Sequence, residues 1–98
     1  MVVERIFETA EDEYAYESER NEHYRSLVEI AVAERGENQP SFAALAARVM
    51  AESRQSRGEA EAQARQGDYP EAIGTMERAT DRLLVVLRAA GLILTESQ

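Results

Sequence analysis

One segment, Gly67-Asp68-Tyr69-Pro70-Glu71-Ala72-Ile73, constrains the fold of this chain more than any other. It follows a run of helix formers, Glu59 to Gln66. A glycine at the end of such a run closes a helix in the left-handed conformation, which side-chain-bearing residues adopt only at a cost. Asp68 is placed to cap a following helix, with Glu71 at the capping-box position and Pro70 in the first turn, where a missing N–H costs nothing. Apolar residues then recur at helical spacing: Ala72, Ile73, Met76, Ala79, Leu83, Leu84 and Leu87. The run Leu83 to Leu87 is apolar around most of the helix circumference, which predicts burial on more than one side. It is too short to cross a membrane. Thr80 and Arg82 are expected on the solvent rim, and Gly91 supplies a second helix stop.

Upstream, Val2 to Arg35 contains neither proline nor glycine. Val3, Phe7, Ala10 and Tyr14, then Tyr24, Val28 and Ala31, follow a 4-3-4 spacing that Glu17 and Asn21 interrupt. This predicts either one long helix or two helices broken near Ser18–Asn21. A single helix from Val2 would be about 50 Å long at 1.5 Å per residue, which outreaches a compact bundle and argues for a homodimer. Gly36 and Pro40 punctuate a polar loop, and Ser41 is the expected N-cap of the next helix. There, Phe42, Leu45, Ala46, Val49, Met50, Ser53 and Ser56 share a face, and Gly58 predicts a bend, or raised mobility, near Arg57–Glu59. The expected fold class is all-α. It is a single domain, residues 1–98, forming a three-helix bundle with helices Val2–Arg35, Ser41–Gln66 and Asp68–Ala90, the last two an antiparallel hairpin.

The Gly67–Ile73 segment resembles the junction between the two helices of a tetratricopeptide repeat, where Gly-Asp/Asn-Tyr-x-x-Ala-Ile is common. It is similar also to the junction in microtubule-interacting-and-transport domains, which are three-helix bundles. The likeness covers residues 67–79, and no second copy occurs at any period. It implies a helical hairpin and, for a repeat protein, peptide binding.

The net charge of −8 is unevenly spread. Residues 1–38 hold eleven acids and four arginines, net −7; residues 39–98 hold eight acids and seven arginines, net −1. Such a surface repels phosphate backbones, so nucleic acid is not the expected partner. A basic protein is. Every basic residue is arginine, and there is no cysteine, which excludes disulfides and thiolate metal sites. The start of the chain lacks the basic and apolar regions of a secretory leader, so a bacterial-type cytoplasm is the expected setting.

Chemistry is sparse. The lone histidine, His23, follows Glu19 by one turn. This carboxylate–histidine pair is similar to half-ferritins and encapsulated ferritins, short helical chains that complete a di-iron site by dimerising. Their Glu-x-x-His pattern fails here, because residue 20 is arginine. Glu19 and His23 are the alternative, metal-binding reading. Ser18, Ser26 and Ser41 lack a glycine-rich elbow, and no phosphate-cradling loop occurs. Neither a catalytic activity nor a cofactor is expected. A further alternative is a small-molecule sensor with its ligand between helices at Gly74 and Met76. The leading expectation is an acidic interaction, scaffolding or accessory-subunit module acting as a homodimer. Its interface would draw on Phe7, Tyr14, Tyr24, Leu83, Val86 and Leu87.

Overall fold

The structure, a computed structural model, describes residues 7–91. It contains three helices: α1 (Ala10–Arg35), α2 (Pro40–Arg65) and α3 (Tyr69–Ala89). They form an all-α bundle flattened to 45 × 36 × 17 Å. α3 lies between the other two and packs along both, whereas α1 and α2 touch each other sparsely.

The α2–α3 hairpin forms as its residues dictate. Gly67 takes φ +82°, and the Asp68 carboxylate accepts from the Glu71 N–H at 3.4 Å. Gly91 takes φ +72° after α3. The helix bounds agree with those expected for α2 and α3 to within a residue. At the start of α2, however, Gln39 is the cap residue and makes no side-chain cap bond, so Ser41 does not serve as N-cap. Pro40 starts the helix instead, because its fixed φ suits a first turn whose N–H groups are unpaired in any case.

α1 departs further from expectation. Phe7, Glu8 and Thr9 are not helical, and Thr9 caps the helix by accepting from the Asp12 N–H at 3.1 Å. Glu11, Asp12 and Glu13 then place negative charge in the first turn, where the helix dipole favours it. The helix runs unbroken through Ser18–Asn21. At 26 residues it matches α2, which is also 26 residues long. The length argument for a dimer therefore falls for the described chain. The part of the expected helix over residues 2–6 lies outside the described residues.

The core is built on α3. Met76, Ala79, Leu83, Val86 and Leu87 are fully buried, against Val28 and Ala31 of α1 and Ala46 and Ala60 of α2. Leu83, Val86 and Leu87, expected at an interface between copies, are spent inside one bundle. Only Val85 of that run is exposed, as is Ile30 on α1, both at 51%. Thr80, expected on the rim, is fully buried, while Arg82 is exposed beside Glu52 at 3.4 Å. α2 is helical without interruption through Gly58. No helix among the described residues is long and apolar enough to cross a membrane.

Candidate functional site

The two residues that interrupt the apolar pattern of α1 are its most informative. Glu17 and Asn21 face inward, 7% and 0% exposed. A buried amide needs partners, and Asn21 has them on both other helices. Its Nδ2 donates to Thr80 Oγ1 of α3 at 3.0 Å, and its Oδ1 accepts from Arg57 Nη1 of α2 at 2.9 Å. The same guanidinium donates to the Ser18 carbonyl and hydroxyl, at 3.3 and 3.1 Å, and to Glu61 at 3.1 Å, and it lies 3.4 Å from Glu22. Nearby, the Ser53 hydroxyl donates to the Ala79 carbonyl at 2.8 Å. Arg57 is thus a tie between α1 and α2 where the helices otherwise barely touch. A planar guanidinium with five donors suits this task better than an ammonium would.

Two hollows lie along the trough between α1 and α2. The one toward the start of α2 is about 360 Å³, with an apolar floor of Val28, Val32, Ala43, Ala46, Ala47 and Met50 and with Glu29 and Arg54 also in its lining. The other is about 600 Å³ and lies between the first half of α1 and the last turns of α2. Its walls carry Glu11 and Glu19 from α1, Glu61 and Arg65 from α2, and a pair of tyrosines, Tyr14 and Tyr69. Their rings meet at 5.9 Å with planes tilted by 55°. Ala15, Ser18 and Ala64 are the short side chains that leave the space open. The Tyr14 phenol is pushed above its ordinary range, first by burial and then by the Glu61 carboxylate, with Arg57 and Arg65 pulling the other way.

Glu77 of α3 is also raised above the usual carboxylate range. Partial burial contributes most, followed by the repulsion of Glu17, Glu13 and Asp81, which Arg20 only partly offsets. Arg20 is itself engaged: it pairs with Glu17 at 3.2 Å and stands 5.4 Å over the Tyr24 ring.

Comparison with family models, with curated proteins and with solved structures finds no match. The geometry is therefore the ground for any reading of function.

Of the residues singled out from sequence, Tyr14 lines the larger hollow, half-buried. Phe7 packs on Tyr16 at 5.4 Å, and Tyr24 packs on the core. Glu19 and His23 are exposed, with the His23 ring against Tyr24 at 5.5 Å. Among the described residues, no group of three or more histidine, aspartate or glutamate side chains is placed to hold a metal, so this pair gains no third ligand. The Ser18 hydroxyl is taken by Arg57 rather than by the histidine. Met76 is fully buried in the core, and Gly74 has only the Arg78 guanidinium near where a Cβ would stand. Neither Gly74 nor Met76 lines either of the two hollows. Tyr69 and Glu61 join the site without any signal in the sequence. Tyr69 reads there only as part of a turn, and nothing local to either residue shows that it faces α1.

Proposed function

We propose that this protein is an acidic interaction module, an adaptor or accessory subunit, that engages a basic segment of another protein through the first half of α1. What carries the reading is the pairing pattern along that helix. Each α1 arginine is already occupied: Arg20 by Glu17, Arg25 by Glu22 at 3.8 Å, and Arg35 by the Ala90 carbonyl. By contrast Glu11, Asp12, Glu13 and Glu19 make no ion pair among the described residues. Glu13 adds to the like-charge repulsion felt at Glu77. Unpaired surface carboxylates of one sign steer a basic partner and add to its association rate.

The test is fluorescence anisotropy of a labelled arginine-rich peptide and a labelled glutamate-rich peptide with the intact chain. The expected result is binding of the first alone, weakening as salt rises from about 0.05 to 0.3 M, because screening shortens the reach of surface charge. A flat titration with the basic peptide would sink the reading. Self-association is the second part of the proposal, and the exposed apolar side chains Ile30 and Val85 are its candidates for contact. Light scattering behind size exclusion at two protein concentrations measures it.

A further inference from the structure

The larger hollow between α1 and α2 carries the reading one step further. Three features converge there. The space is of the size that takes a side chain or small ligand, about 600 Å³. Two tyrosine rings form a wall at 5.9 Å. Glu11 and Glu19 stand one turn before and one turn after Ala15, whose methyl leaves room between them. The molecule already contains the kind of group such a place receives. On the same helix, the Arg20 guanidinium sits over the Tyr24 ring with the Glu17 carboxylate at 3.2 Å. A ring face and a carboxylate together favour a guanidinium, which stacks through its plane and donates through its edge. The hollow offers the same two elements with Glu11 and Glu19 unpaired. Glu61 is not free in this sense, because Arg57 holds it at 3.1 Å.

We infer that this hollow is the seat for an arginine side chain of the partner's basic segment, stacked on Tyr14 and Tyr69 and paired with Glu11 and Glu19. The inference rests on the reading of the protein as a binder of basic segments and names where, and through which chemistry, that binding occurs. Arg65, on the opposite wall, adds a positive charge that is felt at Tyr14 and opposes a second guanidinium in the hollow. Lysine fits less well than arginine, since an ammonium cannot stack through a plane and holds its water more tightly.

The experiment is anisotropy of a labelled alternating glycine–arginine peptide and its glycine–lysine counterpart, with the intact chain and three variants. The arginine peptide is expected to bind several-fold more tightly than the lysine peptide. Glu11→Gln with Glu19→Gln should weaken it about ten-fold, whereas Glu29→Gln with Glu34→Gln, which changes net charge equally, should leave it within about two-fold. Arg65→Ala should tighten binding by removing the opposing charge. Equal losses in the two glutamine pairs would overturn the assignment to the hollow, as would weaker binding in Arg65→Ala; in both cases the broader reading stands. Absence of binding to the unmodified chain would remove both.

Discussion

Asn21 of α1 and Thr80 of α3 are both fully buried and hydrogen-bonded at 3.0 Å, 59 residues apart in sequence. This bond, with the Arg57 contact to the same amide, fixes the rotation of α1 against α3. A buried amide that loses its partner retains its desolvation cost, whereas removal of both partners need not. Thr80→Val should therefore destabilise by about 1–3 kcal/mol. The double variant Asn21→Leu with Thr80→Val should cost less than the sum of the single changes. Urea melts of the four-member cycle measure it, and strict additivity would show that the bond does not couple the helices.

Arg57 should be the main restraint on α1 against α2. Its side chain is 16% exposed and meets Ser18, Asn21, Glu22 and Glu61. Arg57→Met keeps the apolar stem and loses these contacts, at an expected cost of about 1–3 kcal/mol. Amide exchange should accelerate over residues 14–24 while that of α3 near Leu83 changes little. Unchanged exchange in α1 would contradict the role of the tie.

Two glycines should respond in opposite directions. Gly58 lies inside α2 on an exposed face, with nothing within 4 Å of where a Cβ would stand, so Gly58→Ala should stabilise by about 0.5–1 kcal/mol. Gly67 has equal space but φ +82°, so Gly67→Ala should destabilise by about 1–2 kcal/mol. Thermal melts of both variants compare the two effects directly.

Glu77 predicts a pH-dependent gain. Its carboxyl binds a proton more readily in the folded state than in the unfolded chain, because burial and the neighbouring acids oppose its charge. The penalty is absent at about pH 3. It appears as pH rises through the ordinary carboxylate range and is complete above the folded value. Glu77→Gln should therefore raise stability at pH 7 by a few tenths of a kcal/mol, discounted for its exposed position, and leave it unchanged at about pH 3. Added salt should shrink the difference. A loss of stability at pH 7 would reverse the sign of this account.

Leu83 and Val85 separate core from surface within one apolar run. Leu83 is fully buried and Val85 is 51% exposed. Leu83→Ala should cost about 2–5 kcal/mol, whereas Val85→Ser should cost less than about 1 kcal/mol and act, if at all, on the mass in solution. Urea melts read the first effect and light scattering the second. Similar costs for the two would mean that Val85 is covered by a second copy.

What the sequence determined by itself was local. The Gly67–Glu71 hairpin, the loop after Arg35 and the inward stripe of α3 follow from φ preferences, capping groups and a 3.6-residue period, all of which act within a few positions. The Thr9 cap was equally local, yet the spacing Val3, Phe7, Ala10, Tyr14 pointed to a continuous helix and hid it. What tertiary structure alone decided was the meaning of the polar residues. Glu17, Asn21 and Thr80 look like interruptions or rim positions, because partners 36 and 59 residues away leave no trace in a short window. The same holds for the hollow, where Tyr14 and Glu19 line one space with Tyr69 and Arg65 only because of how the three helices pack. Burial makes a polar side chain depend on whichever donor or acceptor the packing brings within reach, and that choice is made between helices rather than along one.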